Sequence, residues 1–172
     1  MAIVVEDDTG KSDAQSYLSV ADADAYFTAR NITAWSGTDE VKEAALIAAT
    51  EYIDLRWGKQ LKGELEFRDT QSLLFPRLNV YDEQRRPLTG IPERLERATA
   101  EYALISLSQA LMPNPTVEDN GKILIEQSDG TGPLTETKKY LSGFLATRPY
   151  PKPDSLMSCF VASGGGNGGV YV

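Results

Sequence analysis

Apolar residues recur at helical spacing in three stretches of the chain, and the most regular is 91–112, IPERLERATAEYALISLSQALM. Leu95, Ala98, Tyr102 and Ile105 make one stripe along it, spaced three and four apart. Pro92 suits the first helical position, where a missing N–H costs nothing. Glu93 places negative charge at the positive end of the helix dipole. After Glu101 the stretch is uncharged, and Ala103, Leu104, Leu107 and Leu111 add apolar surface on other sides. A helix apolar all round is buried all round. The pattern predicts a central core helix with an enclosed second half. Its charged first half (Glu93, Arg94, Glu96, Arg97, Glu101) is expected to face solvent, a neighbouring subunit or a channel.

Two more helices are expected before it. In 19–30, Ser19 is a good N-cap, Asp22 completes a capping-box variant, and Ala23, Tyr26 and Phe27 face inward. In 39–57, Asp39 and Glu40 load the first turn, and Val41, Ala45, Ala48, Tyr52 and Ile53 line one side. The small residues Ala44, Ala45, Ala48 and Ala49 let another helix come close, and Gly58 is the expected stop. Residues 31–37 make a turn whose Trp35 is expected as a core anchor.

Elsewhere the period changes. Residues 59–90 show no sustained helical pattern and read as a loop or small hairpin. Leu73-Leu74-Phe75-Pro76-Arg77 is apolar and extended, since a residue before proline avoids the α region. Val80-Tyr81 and Pro87-Leu88 flank a charged tip, Asp82-Glu83-Gln84-Arg85-Arg86, where the two arginines could meet phosphate or simply lie in solvent. A second hairpin is expected over 122–142, with strand character in 123–126 and 134–141 around a turn at 128–132. Residues 148–153 (RPYPKP) read as a stiff spacer, followed by a short helix over 155–161 capped by Asp154. Both ends read as arms. Residues 1–15 are expected to form a flexible N-terminal arm, 16–162 the helical domain, and 163–172 a Gly-rich tail. The tip of that tail, Val170-Tyr171-Val172, either adds a strand to a partner's sheet or frays like an ordinary terminus.

Composition narrows the chemistry. The 172 residues include one cysteine, Cys159, and no histidine. That excludes an internal disulfide framework, cysteine metal clusters and Ser-His or Cys-His nucleophile pairs. No residue pattern marks a catalytic, cofactor or metal site, so the chain is expected not to be an enzyme. Gly10-Lys11-Ser12 looks like the end of a phosphate-binding loop, but Val5 stands where that motif needs glycine. Gly164, Gly166 and Gly169 match a dinucleotide fingerprint formally, without the helix such a site requires. Net charge is −8, from 17 basic and 25 acidic residues. Nonspecific nucleic-acid binders usually carry the opposite sign. No apolar run nears the ~20 residues that span a bilayer, and the start of the chain lacks a signal-like h-region, so the expectation is an intracellular protein without a membrane role.

With these pieces in order, a resemblance emerges. Ser16-Tyr17-Leu18-Ser19-Val20-Ala21-Asp22-Ala23-Asp24-Ala25-Tyr26-Phe27 resembles the opening "SY-x-S-x-x-x-A-x-x-Y" of a bacteriophage family. The run 43–54 is similar to its second helix. Leu74-Phe75-Pro76-Arg77 with Val80-Tyr81-Asp82 resembles its "WPR…VYD" segment, Phe75 replacing the usual Trp. Ile91-Pro92 with Ala98, Glu101 and Ala103-Leu104 matches its third helix, and Arg148-Pro149-Tyr150-Pro151 with Asp154-Ser155-Leu156-Met157 its closing segment. Members are labelled DnaT-like single-stranded-DNA-binding, and they also resemble the head-tail connector (neck adaptor) proteins of long-tailed phages. The resemblance covers roughly 16–160 and brings no catalytic residues with it.

The fold this implies is mainly α: a compact bundle of three to four helices with a small β-hairpin and extended N- and C-terminal arms. The function it implies is a structural virion protein located in the neck between capsid and tail, assembled in the host cytoplasm. It would form a homo-oligomeric, dodecameric ring under the portal protein. The ring would dock a tail-side stopper or tail-terminator protein and continue the DNA channel without binding DNA specifically. An acidic wall would let DNA slide. The alternative is a DnaT-like single-stranded-DNA-binding replication accessory protein. It needs a basic groove with aromatic platforms, for which Trp35, Trp57, Tyr81, Arg85, Arg86, Lys138 and Lys139 are scattered candidates. The partner-binding candidates are Val170, Tyr171, Val172, Arg85 and Arg86, and the subunit-packing candidates are Glu93, Arg94, Arg97 and Glu101.

Overall fold

Ser19 opens the first helix as its sequence suggests. Its Oγ accepts the Asp22 N–H (3.1 Å) and donates to Asp22 Oδ2 (2.5 Å), which starts α1 (Val20–Thr28). The computed structural model describes residues 3–112 and 148–162, and the backbone of two strands, 124–129 and 136–140. The chain is mainly α-helical with small two-stranded sheets. It divides into two compact units, residues 1–111 with 149–172 and residues 112–148.

In the first unit, α2 (Asp39–Trp57) buries Ala45, Leu46, Ala49, Thr50, Tyr52 and Ile53. This face is rotated from the expected one, and Val41 is 48% exposed. The rotation puts Leu46 and Ala49 into the core in place of Val41 and Ala48, which is only half-buried. Gly58 ends α2 with ordinary right-handed angles and starts a single 3₁₀ turn, Gly58–Gln60. A Cβ there would lie 2.7 Å from Leu74 Cδ1, the end of a flexible side chain that can move aside.

The central helix, α3 (Glu93–Ser106), is shorter than expected. Pro92 stands at the N-cap rather than the first helical position, and the helix ends six residues before Met112, which is 56% exposed. Apolar spacing continues to Leu111 without the helix: Leu111 packs into the core from a turn, where its carbonyl accepts the Tyr150 hydroxyl (3.0 Å). All seven buried α3 residues fall between Leu95 and Ala103. Leu104 and Ile105 are half-buried and residues 108–110 are exposed, so the enclosure expected through Met112 is complete only as far as Ala103.

The closing helix α4 (Pro151–Met157) begins inside the expected spacer. Pro151 and Pro153 sit in its first turn, where the missing N–H groups have no intrahelical partner to lose. Asp154 therefore lies within the helix, and its carboxylate reaches back to the Tyr150 N–H (3.0 Å). A 3₁₀ turn, Ser158–Phe160, follows.

Residues 59–90 form a small hairpin. β1 (Glu64–Leu65) pairs antiparallel with β2 (Arg77–Leu78), and Tyr81 bridges to Pro87 further along. The Phe75-Pro76 peptide is cis. Phe75 is buried edge-on between Tyr17 (5.9 Å) and Phe160 (5.3 Å). Gly63 takes φ +69° with Leu78 O where a Cβ would stand, so only glycine fits that close approach.

Residues 3–15 are not a free arm. Val5 bridges to Ser16, the Ile3 N–H reaches Glu43 on α2 (3.2 Å), and Ser72 donates to the Ala14 carbonyl (2.9 Å). Glu6 is 4% exposed, and its carboxylate accepts the N–H groups of Gly10 (2.8 Å), Lys11 (2.9 Å) and Asp7 (3.2 Å). Buried backbone donors need such a partner, which ties this segment down.

In the second unit, β3 (Leu124–Asp129) and β4 (Glu136–Tyr140) form the expected antiparallel hairpin, with Glu126 opposite Lys139 and a register shift after Leu124. β3 runs through Ser128 and Asp129, two residues of the expected turn. The tail residues Val170, Tyr171 and Val172 lie outside the described residues.

Candidate functional surfaces

The tip of the first hairpin is a hydrogen-bonded loop. Asp82 Oδ1 accepts the N–H groups of Gln84 (2.9 Å) and Arg86 (2.8 Å), and Arg86 Nε donates to Asp82 Oδ2 (2.6 Å). The Arg86 N–H, and then its guanidinium, hold the Asp82 carboxyl below the usual carboxylate range. Arg85, at φ 60°, is exposed, as is Tyr81 (48%). Of the two predicted partner contacts here, Arg86 is thus engaged by Asp82 and Arg85 is open.

The four predicted subunit-packing residues separate. Glu93 and Arg94 are exposed on the first turn of α3, Arg97 is half-buried, and Glu93 pairs with Arg97. Glu101, expected to face outward, is 5% exposed. It lies one turn beyond Arg97, where α1 and α4 both close on α3. Its Oε1 accepts the Tyr26 hydroxyl of α1 (2.7 Å) and Lys152 Nζ of α4 (2.5 Å). Burial, and then the bond to Glu101, push the Tyr26 hydroxyl up to about 12.

Between α1 and α3 lies a crevice of about 350 Å³, lined by Asp22, Tyr26, Arg30, Glu93, Glu96 and Arg97 with Leu18. The Arg30 guanidinium stacks 3.6 Å from the Tyr26 ring centre. Burial, then the charges of Asp22, Glu93 and Asp8, raise the Glu96 carboxyl. Three carboxylates against two guanidiniums make this a mixed-charge seam, poorly suited to phosphate.

A second groove runs along α2 beside Asp54, a residue that sequence reading missed. Asp54 accepts the Tyr17 hydroxyl (2.6 Å) and the Leu74 N–H (3.3 Å). Burial dominates and raises its carboxyl to about 6. Arg77, the arginine of the Phe-Pro-Arg run, spends its guanidinium on the carbonyls of Lys62 (2.7 Å), Gly63 (2.8 Å) and Leu74 (3.3 Å). That motif therefore builds the core.

Behind α3, Tyr102 donates to Asp154 (2.5 Å) and accepts from Trp57 Nε1 (3.2 Å). Trp35 is buried, with its indole N–H on Asp24 (2.6 Å). Both tryptophans are thus turned inward, as anchors rather than stacking platforms. Among the described residues no group of three or more His, Cys, Asp or Glu could hold a metal ion. No described helix is long and apolar enough to cross a membrane.

No curated protein and no solved structure matches the chain. The family model described as "Putative DnaT-like ssDNA binding protein" matches residues 1–171. That match spans nearly the whole chain, both the described core and the tail, and the chain belongs to this family.

Proposed function

We propose that the chain is a structural subunit of a bacteriophage head-tail connector: a homo-oligomeric, dodecameric ring beneath the portal, continuing the DNA channel and docking a tail-side protein. The observation that carries it is the state of the surface cations. Seven described cations already pair with carboxylates: Lys11, Lys42, Arg56, Arg68, Arg86, Arg97 and Lys152. With a net charge of −8, such a surface lets DNA pass rather than grip it. The described aromatic side chains are mostly core, with Tyr81 the large exposed one. The exposed first turn of α3, with Glu93 and Arg94, is the proposed contact between subunits, and the tail tip Val170–Val172 is the proposed contact with a partner. Quantitative mass spectrometry of purified phage particles tests this. The expected result is about twelve copies of the chain per portal ring, and absence from the particles contradicts it.

A second reading, a single-stranded-DNA-binding accessory protein, is favoured by the family's own description. Arg85 and Tyr81, both exposed on the first hairpin, and the Lys138-Lys139 pair on β4 are the residues it would use. A salt-sensitive gel shift with labelled oligonucleotide supports this reading over the first.

A further inference from the structure

The groove beside Asp54 has a volume of about 480 Å³ and belongs to neither reading above. Its apolar lining comes from Ala14, Ile47, Leu55 and Leu73, with the neutral polar Gln15 and Thr50 beside them. Leu55 is 72% exposed, the most open large hydrophobic side chain described. Two carboxylates, Glu51 and Asp54, line the same groove one helical turn apart. Glu51 is exposed and has no ion-pair or hydrogen-bond partner among the described residues. Asp54 is held by two neutral donors, the Tyr17 hydroxyl and the Leu74 N–H. Among the described residues the cation whose charge reaches it is Arg77, which is bound to backbone carbonyls. A largely buried carboxylate without a contacting cation is under-compensated. A cation placed in the groove supplies what is missing, and its alkyl stem has Leu55, Ile47 and Leu73 to lie against.

We propose that this groove docks a segment of a partner protein that carries a lysine or arginine side chain flanked by apolar residues. Charge complementarity selects this occupant. Two carboxylates repel nucleic-acid phosphate and anionic headgroups, and the whole chain is acidic, so a basic segment is also attracted from a distance.

Two capped peptides test the proposal on the full chain, acetyl-Leu-Lys-Leu-amide and acetyl-Leu-Glu-Leu-amide, followed by amide chemical shifts at pH 7.5. The lysine peptide is expected to bind saturably, shift residues 47–55 and 73–74, and bind at least tenfold tighter than the glutamate peptide. Asp54→Asn should weaken it at least fivefold. Glu51→Gln, at an exposed position that leaves the fold intact, should weaken it at least twofold and carries the test if the first variant fails to fold. Equal binding of the two peptides, shifts confined to other regions, no binding, or full binding by Glu51→Gln overturns the proposal.

Discussion

Asp54 carries the clearest consequence at the scale of single residues. Its carboxyl is raised to about 6 in the folded chain, against 3.8 ordinarily, and burial is the main cause. The folded state therefore holds this proton more tightly than the unfolded state. Its stabilising contribution is complete below about pH 3.8 and is lost as pH rises through about 6, costing on the order of 3 kcal/mol by pH 7. Asn at this position keeps an acceptor for the Tyr17 hydroxyl and carries no charge. Asp54→Asn should flatten the pH dependence of urea unfolding between pH 4 and 7 and stabilise the chain by about 1–2 kcal/mol at pH 7.5. Destabilisation at pH 7.5 contradicts this account. Nothing in the sequence marks Asp54: it is one more acid on an acidic helix, and its significance comes from a tyrosine 37 positions away. Glu6 is similar. The Gly10-Lys11 turn does gather backbone N–H groups around an anion, but the anion is the chain's own Glu6 carboxylate.

At the scale of elements, start signals were legible where they are local. Ser19 with Asp22 marks a true helix start because a cap needs only its own first turn, and Asp39 with Glu40 mark another because their charge meets the helix dipole there. Helix ends were less legible. Apolar spacing carried the third helix to Met112, while the chain leaves the helix after Ser106 and still buries Leu111. The spacing of buried residues cannot distinguish a helix from a turn that packs on the same core. The prolines at 149, 151 and 153 suggested an extended spacer, yet two of them fit the first turn of α4. Glu101 was misplaced for a related reason. Its charge pointed outward in a one-helix reading, but Tyr26 and Lys152 arrive from α1 and α4 to satisfy it. Glu101→Ala leaves the Lys152 cation and the Tyr26 hydroxyl without their partner at a three-helix junction. Lys152 is exposed and returns to water, so the loss comes mainly from the Tyr26 hydroxyl and should be about 1–3 kcal/mol by chemical denaturation, whereas a surface acid would cost less than about 0.5. A loss under about 1 kcal/mol would return Glu101 to the surface role first assigned to it.

At the scale of the whole molecule, the mainly α architecture with its hairpin was readable from periodicity, whereas the division into two compact units was not: the second hairpin was expected inside the single helical domain 16–162, and residues 112–148 form a unit of their own. Function was less readable. The family description names single-stranded DNA, while the described surface commits most of its cations to carboxylates or carbonyls and turns both tryptophans inward. Charge balance was visible in composition; which cations remain open depends on pairings that only the fold creates, such as Lys152 with Glu101 across 51 positions of chain. On the proposed reading the chain is an assembly protein which does not hold DNA. Fluorescence anisotropy of a labelled 30-nucleotide thymidine strand, titrated with the full chain at 50 mM salt, tests it most directly. The account predicts a dissociation constant weaker than about 100 µM; a value below about 1 µM that weakens steeply with added salt would contradict it.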